Sequence, residues 1–211
     1  MSTVDLYART ARNREEIADL LGSLVPDLWE APTLCRGWTV RHLAAHLLQP
    51  MLVGFGRFFL VALRHRGDTA ATVDHLARVL ARKEPAELTA LLRRHAADRV
   101  SPPRVGPMGP FAETCIHLRD IARPLHLTAD ARREDWVDLL DYLTSPRPAP
   151  ALVPRGRAAG LTLLATDAEW THGSGPEVTG GVEAITMALT GRPAALDDLT
   201  GPGVAVLRDR M

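Results

Sequence analysis

Apolar residues along the first two-thirds of the chain recur at helical spacing. Leu6, Ile17, Leu20, Leu21 and Leu24 fall near one face of a segment from Val4 to Leu24, with charges between them. Pro26 ends that segment, and a loop from Trp29 to Trp38 carries Pro32 and Gly37. Thr39 is a good N-cap for a second helix, VRHLAAHLLQ, which meets Pro50 and continues with a kink to about Arg66. Gly67 and Asp68 break it. Two shorter amphipathic helices follow, over Thr72–Arg82 and Glu84–Arg99, the latter with Pro85 in its first turn. The stretch SPPRVGPMGP, Ser101 to Pro110, reads as a loop, and Phe111–Ala122 and Glu134–Leu143 as further helices.

The pattern then changes. SPRPAPALVPRG, Ser145 to Gly156, holds four prolines and reads as an extended linker. LTLLATDAEWTHGSG, an apolar run followed by glycines, predicts strands and a turn. Gly181–Thr190 reads as a helix and GVAVLRDR as a final strand. The expected organisation is therefore α+β: a helical bundle over residues 1–144, a Pro-rich linker over 145–157 and a small α/β domain over 158–211.

Composition narrows the partners. Lys+Arg and Asp+Glu both number 25, so the formal charge is zero, without the basic excess of a nucleic-acid coat or a reason to dock on an anionic membrane. Lys83 is the single lysine; the other basic residues are arginines, a balance typical of a high-GC genome such as an actinobacterial one. Two cysteines, Cys35 and Cys115, are too few for a disulfide scaffold. MSTVDLYARTARNREE has no signal-peptide apolar core, and the most apolar stretch, Leu47–Leu63, is interrupted by Gln49, Pro50, Gly54, Gly56 and Arg57. The expectation is a cytoplasmic protein, monomer or homodimer, that acts on small molecules.

Candidate chemistry centres on FAETCIHLRD. Glu113 and His117 stand four apart, which puts both on one helix face. A carboxylate and an imidazole there are a common pair of ligands for a divalent metal. A buried Glu needs a compensating positive group, and a metal ion or an arginine would serve. In GWTVRHLAAHL, His46 sits mid-helix on an apolar background of Leu43, Ala44, Ala45, Leu47 and Leu48. One histidine from one helix and an E-x-x-x-H pair from another can meet in a bundle core. Spacing alone equally describes a solvated or core-satisfied pair, and His46 equally a core histidine bonded to a neighbouring helix.

The patterns TLCRGWTVRHLAAHL, ETCIHLRDIARPL and GLTLLATDAEWTHGSGPEVTGGVEAITMALTGRPAALDDLTGPGVAVLRDR together resemble the mycothiol-dependent maleylpyruvate isomerase family. The resemblance covers nearly the whole chain. It implies a DinB-like up-and-down four-helix bundle followed by a small C-terminal α/β domain. It implies that His46, Glu113 and His117 are the ligands of a divalent metal, zinc in the first place, though nitrogen and oxygen donors also suit nickel or iron. It further implies that mycothiol, a small-molecule thiol, is activated as a metal-bound thiolate for isomerisation or S-transfer. Arg192, in LTGRPAAL, aligns with a family arginine near the metal pocket and is the candidate catalytic residue; it would give a substrate carboxylate a planar, fixed cation. Pairing with Asp197 or Asp198 is the alternative role. Two further function classes compete: a non-catalytic metal- or thiol-binding sensor, and a small-molecule carrier.

His42 departs from the family pattern, which carries an acidic residue there. With Thr39 as N-cap, position 42 is where a carboxylate completes a capping box, a task histidine is expected to do less well. His42 is then either a neutral surface residue or a neighbour of the metal. Asp120 is a candidate acceptor that orients His117, or else an ion-pair partner of Arg119 or Arg123. Cys115 reads as core, Cys35 as a loop cysteine with little reactive role, and Trp38 and Trp170 as packing anchors. His65, His75, His95 and His126 lie among charges and read as solvated, and His172 as part of a turn.

Overall fold

The structure is a computed structural model that describes residues 3–103 and 105–211; Met1, Ser2 and Arg104, the last inside the expected 101–110 loop, lie outside the described residues. Its contacts divide the chain into two compact units, one up to Asp130 and the other Ala131–Met211.

The first unit holds helices α1 (Thr3–Ser23), α2 (Val40–Leu52), α3 (Phe55–Arg64), α4 (Thr69–Leu80), α5 (Pro85–Arg94) and α6 (Met108–Ala122). In α1 the apolar face predicted from spacing is buried at Leu6, Ile17, Leu20 and Leu21, and it packs on α5 and α6. Helix α2 runs through the middle, against α4, α5 and α6, and eight of its residues from Val40 to Gln49 are buried. That position carries His46 into the core. Leu21, Leu43, Leu48, Leu88, Leu92, Leu118 and Ile121 belong to one hydrophobic cluster of this unit.

Pro50 stays inside α2, and the helix ends two residues later, where Val53 N–H bonds Gln49 O at 2.9 Å. The expected continuation is therefore two helices rather than one kinked one, with Gly54 as the break before α3. Helix α3 buries none of its residues and exposes Phe55, Phe59, Leu60 and Leu63. Helix α6 begins three residues earlier than expected, because Pro110 falls in its first turn, where no intrahelical N–H bond is needed.

The second unit joins α7 (Arg133–Leu143), strands β1 (Thr162–Ala165), β2 (Thr171–Gly173) and β3 (Glu177–Gly180), and helices α8 (Val182–Leu189) and α9 (Gly203–Asp209). The sheet order is β2-β1-β3, with β1 antiparallel to β2 and parallel to β3. Helix α7 packs on α8, within the unit Ala131–Met211. Trp170 anchors the β1–β2 turn to α7, its Nε1–H donating to Asp141 Oδ1 at 2.7 Å.

GVAVLRDR, expected as a strand, is helix α9. A short apolar run does not distinguish the two states by its period. Here the outer edge of β3 is already taken by Thr200, which exchanges two 2.8 Å backbone bonds with Thr179. As a helix the segment turns Gly203 and Leu207, four apart, onto β3. No helix among the described residues is long and apolar enough to cross a membrane.

A Cβ at Gly203 would lie 2.6 Å from Pro176 O and 2.8 Å from Glu177 O, closer than a real Cβ approaches. Gly203→Ala is expected to destabilise the protein by about 1–3 kcal/mol, the usual cost of overpacking. Denaturant unfolding checks this; an unchanged midpoint would mean that α9 does not pack on 176–177.

Candidate functional site

Helix α6 positions three functional side chains on one face: Glu113, His117 and Asp120, at intervals of four and three. His117 and Asp120 are buried, Asp120 completely. Asp120 Oδ2 lies 2.8 Å from His117 Nδ1. The carboxylate therefore accepts the Nδ1 proton, which leaves Nε2 as the ring nitrogen able to offer a lone pair or second donor. Burial works against charge on His117, but its bonds with Asp120 and Cys35 outweigh that and push its pKa up to about 10.

His46 comes from α2 and meets His117 edge to face, ring centroids 5.1 Å apart and planes at 82°. Burial, and then the neighbouring His117, push its pKa down to about 3, against the opposing pull of the Gln49 side chain and Asp120. His46 is therefore neutral at physiological pH. Its Nδ1 is buried and makes no hydrogen bond. Trp38 covers the other side of the ring at 5.0 Å and is itself held by Asp74, which accepts the indole N–H at 2.8 Å.

Arg14 supplies part of the positive charge anticipated near Glu113. Burial raises its carboxyl pKa, and His117 and Arg14 partly offset the rise. Arg14 is buried and spends one guanidinium nitrogen on the carbonyls of Ala96 and Asp98, at 3.0 and 2.9 Å.

His46 and His117 are in ring contact, and Glu113 stands one turn before His117 on α6, where the two interact electrostatically. Among the described residues, though, the one group of three whose donor atoms all lie within 4.8 Å is Cys35, His117 and Asp120. Cys35 donates its thiol to Asp120 Oδ2 at 3.2 Å and lies 3.8 Å from His117 Nδ1. Its loop is fixed beneath the helix: Leu34 N–H bonds Asp120 O at 3.1 Å, and Pro32 pairs with Thr39 across the loop base. The sequence leads one to expect a loop cysteine with little reactive role and does not foresee this contact. The signal was its place in TLCRGWTVRHLAAHL, beside the His46 helix.

The other candidates resolve singly. His42 Nδ1 accepts the N–H of Thr39 at 3.2 Å, so histidine does complete the N-cap box expected to need a carboxylate. Burial and Arg78 lower its pKa, which keeps that nitrogen an acceptor. Cys115 is core and accepts from Asn13 at 3.3 Å. Arg192, in the second unit, follows α8 and donates to Thr190 O at 2.7 Å.

A divalent ion fits the His46–Glu113–His117 set on three grounds. Nδ1 of the neutral His46 ring is buried without a hydrogen bond; the Glu113 carboxyl is incompletely compensated; and the His117 ring is oriented from behind by a carboxylate, as metal-bound imidazoles are.

Comparison with known proteins agrees with this architecture. The family described as mycothiol maleylpyruvate isomerase N-terminal domain matches residues 10–169. No curated protein sequence matches. A crystal structure of the mycothiol-dependent maleylpyruvate isomerase is similar with a TM-score of 0.60 at 16% identity, covering 96% of this chain and 93% of that one. A histidine-to-alanine mutant of that isomerase gives 0.59, with the same identity and coverage. At that identity the two structures establish the shared fold, an α+β arrangement of helices with a small C-terminal sheet. With the family match spanning most of its length, the chain belongs to the mycothiol maleylpyruvate isomerase family.

Proposed function

We propose that the chain is a metal-dependent, thiol-using enzyme: His46, Glu113 and His117 hold a divalent ion of zinc type, mycothiol is the thiol, and the substrate is a small carboxylate-bearing electrophile such as maleylpyruvate. The observation that carries this reading is the buried, unpartnered His46 nitrogen beside the His117 ring, whose own Nδ1 is engaged by Asp120. Such an ion, when bound, lowers the pKa of a thiol and so supplies thiolate at neutral pH.

The chain's own residues prepare that chemistry. Asp120 keeps the Nδ1 proton of His117 and with it the ring's orientation. Burial keeps His46 neutral, so its lone pair is available without displacing a proton. Addition of the thiolate sulfur to a cis double bond moves the electron pair onto the carbonyl as an enolate. Rotation about the resulting single bond and expulsion of the same sulfur give the trans isomer and return the thiolate, so nothing is consumed. Transfer of the thiol to an aryl halide uses the same nucleophile and releases halide. Arg192 is proposed as the cation for the substrate carboxylate, on the strength of its GR motif and a guanidinium's fit to that group.

The deciding experiment is turnover of maleylpyruvate, and of a chlorinated arene, with and without mycothiol. Thiol-dependent turnover of either supports an enzyme. Metal and thiol binding without turnover of any electrophile would point to a sensor, and neither binding nor turnover to a carrier.

Protein purified without chelator is expected to contain close to one metal ion per chain by elemental analysis. A His46→Ala, His117→Ala double variant that takes up as much would remove this set. Asp120→Asn is expected to weaken metal affinity by about 10–100-fold, as loss of an orienting partner does. An unaltered affinity would mean that the bond to His117 is structural only.

Metal affinity is also expected to depend on pH, with a definite sign. With its pKa near 10, His117 is protonated in the metal-free protein, and an ion must displace that proton. Apparent affinity should therefore rise by at least about tenfold per pH unit from pH 6 to 8. Chelator competition measures it, and a flat profile would contradict protonation of His117.

Replacing Arg192 is expected to leave metal content and folding intact while lowering turnover, with Arg192→Lys recovering little of what Arg192→Ala loses. Circular dichroism, metal analysis and kinetics on the two variants check this. Lost stability with retained turnover would place Arg192 in a structural role.

A further inference from the structure

We propose that Cys35, Asp120 and the Nδ1 side of His117 form a second, thiophilic metal site, which competes with the first for the His117 ring. The competition rests on the metal reading given above; the site itself rests on its own geometry.

The three donor atoms already approximate one face of a tetrahedron. Their separations are 2.8 Å for Asp120–His117, 3.2 Å for Cys35–Asp120 and 3.8 Å for Cys35–His117. Zinc-like bonds of ~2.3 Å to sulfur and ~2.0–2.1 Å to nitrogen or oxygen put such edges at roughly 3.3–3.6 Å. The chief adjustment is an opening of the Asp120–His117 edge by about half an ångström. The mounts are built for it. His117 and Asp120 stand one turn apart on α6, and the Cys35 loop is tied to that helix by the Leu34–Asp120 backbone bond.

Access and selectivity follow from the same residues. Asp120 and His117 are buried, whereas Cys35 is partly exposed and offers the way in. A thiolate among the donors favours soft ions such as zinc and cadmium over magnesium or calcium. The ion enters as the thiol proton and the Nδ1 proton leave to solvent. Two anionic ligands then balance its double charge in a region poor in water.

That lost Nδ1 proton is the one Asp120 uses to orient the ring. A neutral imidazole has one lone pair to give, so an ion on Nδ1 excludes an ion on Nε2. A soft metal at Cys35 would thus act as an antagonist of the His46–Glu113–His117 ion.

Cadmium titration of the metal-free protein tests this through the ultraviolet sulfur-to-cadmium charge-transfer band, with total uptake read by equilibrium dialysis. Wild type is expected to show the band and to bind one ion per chain. His46→Ala should keep the band. Cys35→Ser should lose it and still take up zinc, with circular dichroism confirming its fold. No band in wild type, or a band that survives Cys35→Ser and so comes from Cys115, would overturn the site. Two ions per chain would overturn the competition. Zinc uptake lost in Cys35→Ser but kept in His46→Ala would uphold the Cys35 site and reject the His46 set instead.

Discussion

The site depends on one buried contact, the 2.8 Å bond between His117 Nδ1 and Asp120 Oδ2. A carboxylate with no exposure is costly to desolvate unless it is paired and hydrogen-bonded. Here the imidazole and the Cys35 thiol share that task. In return the carboxylate settles which ring nitrogen carries a proton, and so which one is left for a ligand. Helix α6 makes the contact inexpensive in entropy, since residues three apart on a helix already face the same way.

The two central histidines illustrate how environment divides one chemistry. Their rings are 5.1 Å apart, yet one pKa is pushed down to about 3 and the other up to about 10. Both are buried. The difference is that His117 has a carboxylate against its nitrogen, whereas His46 stands on an apolar helix with a tryptophan beside it. On the proposed reading, an ion in place of the His117 proton would satisfy both rings and Glu113 together.

The second unit solves a different problem. A three-stranded sheet of short strands is marginal by itself. Helices α8 and α9 pack against it, and α7, which carries the buried Trp136, packs on α8. Helix α7 thus adds a further layer on α8 within this unit.

Helical spacing in the sequence was enough to place α1 and α6 and, with the Thr39 cap, the start of α2, and the i, i+4 relation of Glu113 and His117 followed from it. The resemblance of three ordered motifs then picked out His46, which spacing could not separate from an ordinary core histidine. Tertiary structure alone decided the rest. That His46 lies beside His117 depends on how α2 crosses α6, and local sequence does not encode a crossing. That Cys35 reaches Asp120 depends on a loop drawn under a helix 85 residues later in the chain. Arg14 adds to the positive charge that His117 places near Glu113, from yet another helix. Residues 203–209 are helical because the sheet edge was already occupied by Thr200, and a short run of valine, alanine and leucine has no period by which to say so. Local patterns determine how a segment can fold; which polar atom finds which partner is decided by packing between segments distant in sequence.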